Sequence, residues 1–152
     1  MKKLTQTRRD NCWQTCVAML LGCPAESLPA QHEFVKREDY GRALRVYLDK
    51  HHALTYVEMG AAQFSALTED QKKLHVMIGE CERTTPENGN AWHAVVGASG
   101  ELLWDVSESR AGLTKVHGYG LLVPTPLEWR ATWAREICVC SECAAGKEAI
   151  AC

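Results

Sequence analysis

The sequence has little net charge and no long apolar run. Its 152 residues carry a formal net charge of −2 at pH 7, so the composition gives no basic surface for nucleic acid or for an anionic membrane. Near the start only residues 17–21 form an uninterrupted apolar stretch. That is short of the roughly 7 to 15 residues of a secretion-signal core and of the roughly 20 residues of a membrane span. These absences predict a cytoplasmic protein with neither a nucleic-acid nor a membrane partner.

The eight cysteines lack the regular spacing of a disulfide framework. Only Cys138, Cys140 and Cys143 cluster, which disfavours a disulfide-stapled secreted domain and predicts mostly reduced thiols. Together with Cys152 these three could supply four thiolates to a structural zinc ion. The paired C-x2-C knuckles of a strong zinc motif are missing, however. We therefore expect no metal and no other cofactor, and keep a zinc site at these four cysteines as an alternative.

The length and the 46% hydrophobic content are those of one globular domain with a buried core. We assign residues 1–137 to this domain and residues 138–152 to a Cys-rich C-terminal tail. No internal repeat or low-complexity segment divides the chain further.

Two amphipathic helices are predicted ahead of a run of strands. The first covers residues 11–21, with Asp10 as its N-cap and Gly22 as its stop signal, and the second covers residues 40–51. A shorter helix is expected within residues 61–73, and a surface loop over residues 82–90. The segments with strand character are residues 54–58, 74–78, 92–96, 101–106 and 119–123. Helices first and an antiparallel sheet afterwards predict an α+β domain.

Cys12 is the candidate nucleophile, because it lies in the first turn of the predicted helix. The N–H groups and the positive dipole at a helix start stabilise a thiolate. Cys16, one turn further along, should instead behave as a small buried hydrophobe. Gln6 precedes Cys12 by six residues, and its side-chain amide could join the Cys12 N–H in holding an oxyanion. For Gln6 taken alone the simpler interpretation is a solvated side chain, and for Cys12 taken alone it is a structural thiol.

The candidate base and its orienting carboxylate lie in residues 92–105, which read as two strands joined by a glycine-ended turn. A three-residue turn at residues 98–100 would pair His93 directly with Asp105. The carboxylate would then fix the imidazole tautomer and leave the other ring nitrogen for Cys12. A turn of two or four residues would shift the register by one and move Asp105 to the opposite face.

Together these residues resemble the papain-like clan of cysteine peptidases. In that clan a glutamine precedes the nucleophilic cysteine by six positions, as Gln6 precedes Cys12. A second cysteine four residues later and an apolar helix, as at Cys16, are similar to the compact double-glycine leader peptidases of bacteriocin transporters and to small phage and bacterial proteins of this pattern. The later motif of those proteins, a histidine, two β-branched residues, a turn and an aspartate, resembles the stretch from His93 to Asp105.

The resemblance implies a papain-like fold, in which an N-terminal helix carrying Cys12 packs against an antiparallel sheet carrying His93 and Asp105. It implies a cysteine hydrolase that cleaves a peptide, isopeptide or related amide bond of a peptide or protein substrate through an acyl-enzyme. Trp13 stands where the leader peptidases have glycine. Trp13 and Trp92 flank the candidate catalytic residues, which makes them candidate substrate-binding residues. The oligomeric state stays open.

Two other functional classes stay open as well. If an amine replaces water, the same machinery transfers an acyl group, as in a transglutaminase-like enzyme or an acyltransferase. Alternatively, the papain-like body has lost its activity and acts as a peptide-binding or adaptor module, with or without a structural zinc ion in the C-terminal cysteines.

Overall fold

The structure, a computed structural model, describes residues 1–8, 10–82 and 92–129. Its helices are α1 Cys12–Leu21, α2 Arg37–His52 and α3 Ala61–Ser65, with 3-10 turns at Ala25–Ser27 and Gln31–Glu33. Its strands are β1 Leu54–Met59, β2 His75–Glu80, β3 Trp92–Ala98, β4 Glu101–Asp105 and β5 Lys115–Pro124. The predicted α+β class, its helices and its five strands are confirmed, with shifted ends. The predicted loop after residue 82 and the tail at residues 138–152, including the candidate zinc cysteines, lie outside the described residues.

Helix α1 is buried on nearly every side, since all its residues from Cys12 to Met19 are buried. Gly22 ends it in the left-handed conformation with φ 72°, as predicted for a helix stop. The predicted N-cap was wrong. Asn11 occupies that position, and Asp10 is instead an exposed residue whose carboxylate lies 3.5 Å from the Arg8 guanidinium.

The sheet is antiparallel throughout, with the strand order β1-β5-β2-β3-β4. Helix α1 packs on β3 and β2, and α2 packs on β1. The core between these layers includes the fully buried side chains of Val17, Leu44 and Val96. No helix in the described segments has both the length and the apolar character needed to cross a bilayer.

The β3–β4 turn differs from the predicted one. It has two residues, Ser99 and Gly100, both with positive φ (51° and 86°), and Ala98 pairs with Glu101 across it. Positive φ at both positions is what a two-residue type I′ hairpin turn requires. Taken alone, this turn would put the predicted carboxylate on the opposite face of the sheet from the predicted base.

A β-bulge in β4 returns Asp105 to the same face of the sheet as His93. Leu103 is an extra residue at which the register shifts by one, so that Asp105 pairs with Val95. The predicted direct pairing of His93 with Asp105 was therefore wrong. The two residues are instead diagonal neighbours on one face, within reach of a long side chain.

Candidate active site

A buried histidine and a buried carboxylate form the centre of the site. The Nε2 nitrogen of His93 lies 2.7 Å from Oδ1 of Asp105, and the two residues are only 2% and 3% exposed. The backbone N–H of Ser107 donates to the same oxygen, and that of Gly112 donates to Oδ2, each at 2.7 Å. Both carboxylate oxygens are thus held, which fixes the position of the ring that they orient.

The charge of Asp105 and the tautomer of His93 follow from their hydrogen bonds. Burial acts to raise the pKa of Asp105, but the hydrogen bonds from His93 and from the backbone of Ser107 and Gly112 outweigh it and lower that pKa. An ionised carboxylate only accepts hydrogen bonds, so the His93 proton lies on Nε2. The lone pair of the neutral ring is then on Nδ1, which is buried and has no hydrogen-bond partner in the described part of the chain.

The loop after β4 connects this carboxylate to the start of the chain. Gly112 has a positive φ of 74°, a conformation that favours glycine and occurs where its N–H donates to Asp105. Arg110 donates to the backbone carbonyl of Asp105 and, at 2.7 Å, to the hydroxyl of Thr5. Its guanidinium carbon also lies 4.0 Å from the ring centre of Trp104. The N-terminal segment is therefore anchored beside the carboxylate.

Gln6 comes directly after Thr5, the residue that Arg110 holds beside the carboxylate. Its backbone N–H donates to the carbonyl of Val106 at 2.7 Å, directly after Asp105 in the chain. Its side-chain oxygen is buried, with no hydrogen-bond partner in the segments that the structure describes. The structure thus places the backbone of Gln6 next to the residue that follows the carboxylate, and its role as an oxyanion donor stays a prediction.

Cys12 is the first residue of α1 and is 7% exposed. Together with His93 it lines a cleft of about 240 Å³ between the helix and the sheet. Gln31 lines the same cleft, and its side-chain oxygen accepts the N–H of Gln14 at 3.2 Å. The structure therefore brings the predicted nucleophile and the predicted base to one cleft at the start of a helix.

Cys16 lies one turn deeper and has no exposed surface. Burial, followed by the charges of Cys12 and Asp105, raises the pKa of the Cys16 thiol. A thiol in this environment stays protonated and is a poor nucleophile. Of the two cysteines, Cys12 is the one that lies at the helix start and lines the cleft.

The predicted substrate-binding tryptophans both line the cleft. Trp13 is 5% exposed and meets Tyr40 edge to face, with ring centres 5.0 Å apart. Trp92 is 45% exposed and lies against the ring of His117, with the centres 4.9 Å apart. Trp13 is therefore largely a core residue that also forms a wall, whereas Trp92 is at the rim.

Among the lining residues that sequence reasoning missed are the two with charged or phenolic side chains, Arg37 and Tyr40. Both belong to the first turns of α2, and no local motif marks either of them. Their hydrophobic and charge patterns are those of an ordinary amphipathic helix, so only the tertiary packing could identify them.

The described segments contain no group of three or more side chains suited to holding a metal ion. The chain gives no significant match to protein-family models, to curated proteins or to solved structures.

Proposed function

We propose that the chain is a cysteine hydrolase with a papain-like arrangement of helix and sheet, which cleaves an amide bond of a peptide or protein. Cys12 is the nucleophile, His93 the base, Asp105 the residue that orients the base, and Gln6 an oxyanion donor. The acyl-enzyme is released by water.

One observation carries this proposal. The Nε2 nitrogen of His93 is held by an ionised, buried carboxylate, while its Nδ1 is buried without a hydrogen-bond partner in the described segments. An unpartnered ring nitrogen does not by itself mark a base, because among the described residues the buried His75 has one as well. His93 differs in that its other nitrogen contacts a carboxylate and that it lines the cleft. A ring with one nitrogen oriented and the other available, in a cleft that also contains Cys12, has the arrangement of a general base.

The reaction follows from these positions. Neutral His93 takes the Cys12 proton at Nδ1, and the thiolate sulfur attacks the carbonyl carbon of the substrate. The negative charge moves to the carbonyl oxygen, where the Cys12 N–H and the Gln6 amide stabilise it. The imidazolium then returns the proton to the leaving amine as the C–N bond breaks. In the second half, His93 takes a proton from water, which attacks the thioester and releases the acid and the thiol.

The test is the pH dependence of Cys12 alkylation by iodoacetamide, read by mass spectrometry. We expect Cys12 to react well below pH 8.5, the pKa of an ordinary thiol, because His93 and the helix start favour the thiolate. His93→Ala should slow this reaction at pH 6 by at least about tenfold, since a thiol of ordinary pKa is almost wholly protonated there. Cys16→Ala serves as the matched control and should leave the profile unchanged.

A second measurement separates a hydrolase from an inactive binding module. A peptide thioester should acylate Cys12, and the adduct should disappear with time in water. Ordinary thiol behaviour at Cys12, unaffected by His93→Ala, would contradict the hydrolase and favour the binding module. An adduct that persists in water and is released by added amines would favour acyl transfer.

A further inference from the structure

In the part of the chain that the structure describes, the lining of the cleft beside Cys12 contains a single permanent charge. Among the described residues that line it, only Arg37 carries one, and no aspartate or glutamate is present. Glu58, the partner of Arg37, lines the neighbouring hollows instead. Arg37 is therefore the described lining residue that can pair directly with a negatively charged group of a ligand.

Arg37 is held in place without using most of its donors. Its Nη2 nitrogen donates to both carboxylate oxygens of Glu58, at 3.0 and 2.9 Å. Its Nη1 and Nε groups, which carry three of the five N–H donors, donate to none of the described residues. The guanidinium carbon lies 5.2 Å from the ring centre of Trp13 and 5.8 Å from that of Trp92. The two indoles and Glu58 orient a cation whose remaining donors are available to a ligand.

We propose that Arg37 is the carboxylate-binding subsite of this cleft. On the proposed function, on which this inference rests, the preferred substrate then has a carboxylate near the bond that is cleaved. The carboxylate belongs either to an acidic side chain or to a chain terminus, because both present the same two oxygens. A charge-assisted hydrogen bond from Nη1 to such a group is among the stronger polar contacts. The Arg37–Glu58 pair is about half exposed (46% and 41%), so it opposes this binding only weakly.

The experiment titrates three peptides into the Cys12→Ala protein and follows binding by NMR. The neutral reference is acetyl-Gln-Gly-Gly-amide. Acetyl-Glu-Gly-Gly-amide adds a side-chain carboxylate, and acetyl-Gln-Gly-Gly with a free end adds a terminal carboxylate. We expect at least one acidic peptide to bind about ten- to a hundredfold more tightly than the reference, as a hydrogen bond to a charged group implies. Which peptide gains affinity identifies the source of the carboxylate.

Two substitutions in α2 isolate Arg37. Arg37→Gln should abolish the preference for the acidic peptide while leaving binding of the neutral reference within about twofold. Arg42→Gln removes the same charge from an exposed position of the same helix and should keep the preference. Equal affinity for all three peptides, or a preference that survives Arg37→Gln, would overturn the subsite.

The two proposals can fail separately. If Cys12 shows ordinary thiol behaviour but the acidic peptide still depends on Arg37, the subsite stands and belongs to a binding module. If Cys12 is reactive and depends on His93 but no acidic peptide is preferred, the hydrolase stands and the subsite falls.

Discussion

Asp105→Asn is a nearly isosteric change that tests the hydrogen bonding of the buried pair. The carboxylate accepts three hydrogen bonds at 2.7 Å: two on Oδ1, from His93 and Ser107, and one on Oδ2, from Gly112. An asparagine has one accepting oxygen and one donating NH2 group. In either orientation its NH2 group therefore faces at least one buried N–H donor.

The loss of stability can be estimated for the orientation of the asparagine amide that breaks fewer hydrogen bonds. With the amide oxygen toward His93 and Ser107, the N–H of Gly112 loses its acceptor, which costs about 1–3 kcal/mol for a buried group. The other two bonds lose their charge assistance and so become about half as strong. We expect the free energy of unfolding to fall by about 2–4 kcal/mol at pH 7, which is a large part of a typical domain's stability.

The pH dependence gives a sharper check. The pKa of Asp105 is lowered in the folded protein, so its ionised form stabilises the fold fully above the unfolded-state pKa of about 3.9. This contribution is lost as the pH falls through the lower, folded-state pKa. The difference between the parent protein and Asp105→Asn should therefore narrow as the pH is taken from 5 to below 3.

Urea unfolding followed by tryptophan fluorescence measures both quantities. Asp39→Asn, at an exposed position in the first turn of α2, is the control and should change the stability by less than about 1 kcal/mol. A change below about 0.5 kcal/mol for Asp105→Asn at pH 7, or a difference that does not vary with pH, would refute the reasoning.

Two further predictions concern packing and thiol burial. Gly120→Ala would place its β-carbon 1.8 Å from the hydroxyl of the buried Tyr56, so urea unfolding should show that the free energy of unfolding falls by about 1–3 kcal/mol. The control Gly60→Ala, whose β-carbon would have nothing within 4 Å, should lower it by less than about 1 kcal/mol. Equal losses for the two variants would contradict the close approach of Tyr56 to Gly120. Alkylation of the native protein at pH 7.5 should modify Cys12 but spare Cys16, because burial raises the pKa of the deeper thiol. Modification of Cys16 as fast as that of Cys12, without denaturant, would contradict this prediction and show that α1 opens.

The elements were predictable because their signals are local. The apolar spacing of α1 and the glycine at its end come from neighbouring residues, and the alternating strands are likewise readable from short windows. The predicted N-cap was wrong because Asp10 and Asn11 are both suitable caps, so the sequence alone does not choose between them. Asn11 takes the position, and its side-chain oxygen accepts the N–H of Arg8 rather than an N–H of the helix.

The candidate site was predictable only in part, because it depends on contacts between distant segments. The hairpin pattern predicted that His93 and Asp105 lie on the same face of the sheet, although the predicted register was wrong. The N–H of Gly112 and the guanidinium of Arg37 reach the site from loops and helices whose positions the sequence pattern does not define. The hairpin register failed for the same kind of reason: a bulge depends on packing on both faces of the sheet and leaves no reliable mark in the residues of one strand.

The bulge at Leu103 has a consequence for chain length. Eleven residues separate His93 from Asp105, and the turn and the bulge together determine whether that count leaves the two side chains on one side. A variant that gains one residue in the turn should lose the His–Asp contact unless it also loses the bulge. Changes of two residues should preserve it. Odd and even lengths of this hairpin are thus not equivalent. With regular strands, the number of intervening residues must be even for a two-residue turn and odd for a three-residue turn, whereas here the two-residue turn and the single bulge residue together require an odd number.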